Sequence, residues 1–138
     1  MIVHNEAPFP DLELGLVAWA QGLYPDALVW DELPARYGDN LPVIVIEDEG
    51  GVSDGLTLFS TVNVSVFARD DNGRSGREIA REIATNLCSR MGVYPRHFGG
   101  VVVDSVEVAD WPTRSKSQEP DENTTCFSGE LTVSLRRK

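Results

Sequence analysis

Carboxylates are the residues in this chain with the clearest capacity for chemistry. Glu47, Asp48 and Glu49 follow one another after an apolar run, and Asp104 and Glu107 lie in a second valine-rich segment. Two carboxylates brought together can hold Mg²⁺ and activate a water for phosphodiester cleavage. A nuclease of that type usually wants a lysine nearby in the strand, but the only lysines are Lys116 and Lys138. Acids at strand ends are also ordinary solvated surface groups. Two readings therefore stand side by side: a small Mg-dependent nuclease, or a charged surface without catalysis.

The remaining chemical candidates are weaker. His4 and His97 are isolated, with no Ser, Cys or Asp at a spacing that names either as a base. The glycines of DNGRSG, residues 71–76, lie between a strand-like and a helix-like stretch, where a phosphate loop would lie. Neither GxxxxGK[ST] nor GxGxxG is present, so a capped turn accounts for them. Cys88 and Cys126 set no metal spacing and read as free, semi-buried thiols. No cofactor and no metal is expected.

Composition narrows the classes further. The 138 residues suit a single α+β domain, 1–138, with 12 basic against 22 acidic residues and a net charge of −10. Such a chain lacks the basic stripe that drives nucleic-acid binding by counterion release. The opening MIVHNEAPFP has neither a basic leader nor an apolar core, and no stretch approaches the ~18 apolar residues of a membrane span. Use without export by a signal peptide, and without a membrane, is expected.

The elements that must position these residues are read from periodicity. In LTLFSTVNVSVFAR, Leu56, Leu58, Val62, Val64, Val66 and Ala68 recur at a period of two, which predicts a strand with one apolar face. Ile79, Ala80, Ile83, Ala84, Leu87 and Met91 then fall in one helical arc. Ser75 and Glu78 form a capping box at the start of this helix, and Gly92 and Pro95 supply its stop.

Asp11 caps an earlier helix carrying Leu12, Leu16, Trp19, Ala20 and Leu23, which Pro25 ends. Between Pro25 and Asn40 at most a short strand at 27–30 is expected. LPVIVIE, residues 41–47, predicts the first main strand, joined to the next by a glycine-rich hairpin loop. A third strand covers Val101 to Val103, Val106 and Val108, with a bulge near Asp104. Residues 111–124 read as a long exposed polar loop, and Phe127, Gly129, Leu131, Val133 and Leu135 give the last strand its apolar side, before a basic Arg136, Arg137, Lys138 tail.

The order α-β-β-α-β-β predicts a mixed four-stranded sheet with two helices packed on one face. The other face is polar yet carries Phe59 and Phe67, a candidate contact with another subunit. On the second helix, Arg77 and Arg81 lie one turn apart on the outer face, either as solvated cations or as a docking surface for an acidic copy of the same chain.

Taken together, PFPDLE opening a helix, LPVIVIEDEGG, VNVSVFAR followed by REIAREIATNL, GGVVVDSVEVADWP and a final strand ending in SLRRK resemble the tail terminator proteins of long-tailed bacteriophages, especially phages of actinobacteria. The similarity spans nearly the whole chain. It implies a structural virion protein without catalysis, assembled in the host cytoplasm as a ring, six-fold in the family, at the junction of tail and neck. Its partners would be itself, the tail tube protein and a neck or head-completion protein, with DNA passing through without specific binding. The loops matching the family's contact loops are 49–55 and 111–124, which adds Gly50, Gly51, Asp54, Trp111, Glu119 and Asp121 to Phe59, Phe67, Arg77 and Arg81 as interface candidates. A neck or head-completion connector is the alternative within virion proteins.

Overall fold

The alternation in residues 56–69 forms the middle of the molecule. In the computed structural model, which describes residues 9–39, 41–93 and 97–136, strand β3 (Thr57–Ala68) lies at the centre of a five-stranded sheet. The other strands are β1 (Leu28–Trp30), β2 (Val43–Ser53), β6 (Ser105–Arg114) and β7 (Thr125–Arg136), in the order β1-β2-β3-β7-β6. A separate two-stranded hairpin joins β4 (His97–Phe98) to β5 (Val101–Val102). His4, Pro8, Pro95 and the Arg137, Lys138 end fall outside the described residues.

The fold is α+β with a mixed sheet, since β1 runs parallel to β2 while every other pair in the main sheet is antiparallel. The expected four strands are corrected to five. The additional one is β1, the short strand allowed at 27–30, which pairs with β2 and so joins the main sheet. The expected third strand also divides, because Val101 and Val102 pair with the β4 hairpin instead of with the sheet. The phase change near Asp104 marks that break, and the register shifts lie further on, between Val108 and Thr113. β3 and β6 are joined through helix α2 (Gly76–Val93), and β7 pairs with both of them, lying between.

Helix α1 (Leu12–Leu23) starts where Asp11 accepts a hydrogen bond from Leu14 N–H at 3.0 Å, and it ends with Tyr24 N–H donating to Ala20 at 2.9 Å. Leu12, Leu16 and Ala20 are buried, and each leucine so placed contributes about 1.5–3 kcal/mol. Gly15 makes the close contact with the β4–β5 hairpin possible, because a Cβ there would sit 2.4 Å from the Phe98 carbonyl oxygen. Trp19 meets Phe98 edge to face at 5.0 Å.

At the start of α2, Ser75 accepts from Glu78 N–H at 3.1 Å, while the Glu78 carboxylate turns toward Arg74. The described helix runs through Gly92 to Val93. Ala80, Ala84, Leu87, Cys88 and Met91 join Val62, Val64, Val66, Phe127, Leu131 and Val133 in one core on the helix side. No described helix is long and apolar enough to cross a membrane.

Candidate functional site

The acids that suggested metal chemistry do not converge. Glu47 is on β2 and Asp104 precedes β6, three strand spacings apart, roughly 14 Å. Asp48 accepts from Gly50 N–H at 2.9 Å, Glu49 from Asn63 at 3.1 Å, and Asp104 pairs with Arg136 at 2.9 Å. Among the described residues, no group of three or more His, Cys, Asp or Glu is placed to hold a metal ion. At the DNGRSG turn, Asp71 and Arg74 exchange both backbone hydrogen bonds at 2.9 Å, and the Asp70 carboxylate accepts from Gly76 N–H at 2.8 Å. A side-chain carboxylate already occupies the place where a phosphate would meet the start of α2.

The β2–β3 hairpin carries the first exposed apolar surface. Gly50 has φ +81°, and Gly51 lies so close to β3 that a Cβ would stand 1.6 Å from the Phe59 carbonyl oxygen. These two residues shift the register between Asp48 and Gly51. Past the shift Val52 opposes Phe59, and both are exposed, at 73% and 43%. Leu56, expected inside the strand, is at the tip and 76% exposed. Asp54 shapes the tip by accepting from Leu56 N–H at 3.0 Å and Thr57 N–H at 2.8 Å, which also lowers its pKa. Of the sequence candidates, Gly50, Gly51, Asp54 and Phe59 are thus brought together here.

Phe67 is not. It is 4% exposed and packs with Val43, Val45 and Cys126 under Leu28, Leu33, Tyr37 and Leu41. The strand alternation rightly puts it opposite the helix side, but that side is itself covered at this end. Residues 111–124, expected as a long exposed loop, are mostly exposed, but part of the segment is regular: β6 extends to Arg114 and a short 3₁₀ turn, Lys116–Gln118, follows.

Asp121 fastens this loop. It accepts from Tyr37 Oη at 2.5 Å, Arg69 at 2.9 Å, Thr124 at 3.1 Å and Asn123 N–H at 2.8 Å. Those bonds, led by the one from Tyr37, hold its carboxyl far below the usual range and push the Tyr37 phenol up. Glu119 binds the Arg114 guanidinium with both oxygens, at 3.0 and 3.1 Å, and accepts from Cys126 N–H at 3.0 Å. Asp121 and Glu119 thus fasten the chain to itself, and Trp111 on β6 is a large hydrophobic residue of this segment that is exposed.

Arg77 and Arg81 are exposed as expected, along an open groove of about 730 Å³ on the outer side of α2. Arg74 pairs with Glu82 and, at 3.9 Å, with Glu78. Sequence reasoning missed Val52, exposed Leu14 and exposed Trp30. Val52 was detectable only with the register shift known, since without it the residue falls on the wrong parity. Both cysteines are free and buried, which raises Cys88 to about 11 and Cys126 to about 12.

Comparison of the chain with protein-family models and with curated proteins finds no match.

Proposed function

We propose that this chain is a tail terminator, a ring-forming structural protein that caps the tail tube and presents the tail to the neck. The observation that carries the reading beyond the sequence resemblance is the β2–β3 hairpin. Its end exposes Val52, Leu56 and Phe59 while its base is rooted in the centre of the sheet. Exposed apolar residues clustered on a rigid projection suit a lasting protein contact. In this reading the hairpin mates with the last ring of the tube, and the surface turned away offers no further tube site.

Support also comes from charge: a net −10 per copy gives a ring whose field repels passing DNA from its wall. Electron microscopy of particles lacking the protein tests the assignment. Overlong tails without heads are the expected result. Tails of normal length beside heads that leak DNA would overturn it in favour of a head-completion connector. Replacing Val52 and Phe59 by Asp should reproduce the overlong tails while leaving the fold intact.

A further inference from the structure

Two flanks of the molecule carry groups of opposite sign that are unpaired among the described residues: Arg77 and Arg81 on one, and the carboxylates of Asp11, Glu13 and Asp31 on the other. The topology holds them apart. α1 packs against β1 and β2, whereas α2 packs against β3, β7 and β6. The strand order therefore puts the helices over opposite ends of the sheet, whose outer strands are four spacings, roughly 19 Å, apart. Asn86 faces the α1 side, donating to Tyr24 Oη at 2.6 Å. Gly92 marks the other side, since a Cβ there would lie 3.5 Å from Val108 on β6. Arg81 is three turns from Gly92 and only about 20° from it around the helix axis. Arg77 and Arg81 therefore look out past the β6 edge.

Arg77 and Arg81 share with Arg90, which donates to the Asn86 amide oxygen at 3.3 Å, the lack of an ion pair among the described residues of α2. Arg74 engages both Glu78 and Glu82. Beside them a second groove, about 500 Å³, is lined by Ser89, Gly92, Val106, Glu107, Val108 and Trp111. The opposite flank has the complementary character. A cleft of about 170 Å³ between α1 and β1 brings Asp11, Glu13 and Asp31 beside Leu14 and Trp30, both exposed. Partial burial first, then repulsion from Asp31, raises the Glu13 carboxyl above its ordinary value. Like charges are crowded there, and no basic residue lines the cleft.

We infer that the α2–β6 flank of one copy docks on the α1–β1 flank of the next, setting Arg77 and Arg81 against Glu13 and Asp31 and seating Leu14 and Trp30 in the groove at Val106, Val108 and Trp111. Arg77 and Arg81 of a single chain lie at the end of the sheet away from these acids; those of a second copy can meet them. Because the two flanks are different surfaces, the contact is heterologous and repeats head to tail, closing into a ring when the rotation between copies divides a full turn. The junction deepens the ring reading above, and its failure is distinguishable: tail length reports on termination, and self-association of the purified chain reports on the junction.

Sedimentation of the full chain at concentrations up to millimolar tests it. The wild-type chain should associate in low salt, with a dissociation constant that rises about tenfold or more at physiological salt. Arg77→Glu with Arg81→Glu should be monomeric, and so should Glu13→Arg with Asp31→Arg, each with a circular-dichroism spectrum like the wild type. An equimolar mixture of the two should associate, because each supplies the surface the other has reversed. A chain carrying all four substitutions should associate alone. Wild-type chain that stays monomeric in low salt, reversed variants that associate as well as wild type, or a mixture that stays monomeric would each overturn the inference.

Discussion

On the helix side of β3, Val62, Val64 and Val66 share one core with Ala80, Ala84 and Leu87 of α2. One residue along in the same strand, Asn63, Ser65 and Phe67 face the other way, where Asn63 and Ser65 bond to Ser128 and Phe67 is covered by residues between 28 and 41. The first contact is made by regular elements with matching periods. The second is made by four buried residues and a set of polar fasteners: Ser65 to Ser128 at 3.0 Å, Ser128 to Asn63 at 2.8 Å, and Asp121 to Tyr37, Arg69 and Thr124. Apolar contact is non-directional and tolerates small shifts; hydrogen bonds to a carboxylate demand geometry but hold a chain that has no apolar residues to bury. One strand thus serves two kinds of cohesion.

The comparison is broken most directly by removing a large side chain from each face. Phe98→Ala, on the helix side where Phe98 is fully buried against Trp19, should cost about 3–5 kcal/mol in urea denaturation. Phe67→Ala should cost less, about 2–3 kcal/mol, because a loop settles into a void more readily than two helices do. Equal losses would show that the loop packs as rigidly as the helices.

Asp121→Asn comes next and separates the faces by their thiols. Alkylation of Cys126, which lies under the loop, should accelerate, while Cys88 in the helix core should stay protected. The same fastener gives the loop face a pH dependence. Asp121 is held below its ordinary value of 3.8, so its contribution is complete above about pH 4 and is lost as pH falls through the lower folded value. Acid well below pH 4 should thus loosen the loop face before the helix core, seen as faster amide hydrogen exchange at Cys126 than at Cys88, with the variant showing no such step.

The smallest effect has the opposite sign. Ser60 points to the helix side, buried, and its hydroxyl has no partner among the described residues. Ser60→Ala should stabilise by about 0.5–1 kcal/mol, whereas Ser65→Ala, which removes a bonded hydroxyl from the loop face, should destabilise by about 1 kcal/mol. Equilibrium unfolding of the two variants reads both signs.

The helix side was legible because its residues repeat: the periods of 2.0 and 3.6 in residues 56–91 name Val62, Val64, Val66, Ala80, Ala84 and Leu87 before any coordinates are known. The loop side was not. Asp121 finds Tyr37 and Arg69 across separations of 84 and 52 residues, and nothing periodic links polar residues so far apart. Phe67 was placed on the correct side of its strand and taken for exposed, because the residues that cover it, Leu28, Leu33, Tyr37 and Leu41, lie in a stretch without a sustained period. Within the candidate surfaces, Arg77 and Arg81 were legible from helical spacing, whereas their acidic counterpart required β1, a three-residue strand with no pattern of its own.

The insertion of β7 between β3 and β6 bears on how the chain reaches this state. Residue 57 pairs with 136, and residue 68 with 125, so the central ladder closes loops of more than fifty residues. Such distant pairing slows folding, and during synthesis it leaves a specific gap. β2, β3 and α2 emerge early, yet β3 keeps a bare row of backbone donors and acceptors until residues 125–136 have left the ribosome. Until then a nascent chain is open to pairing with its neighbours on the same message, and the vulnerable edge is the one that becomes the most protected seam of the finished sheet.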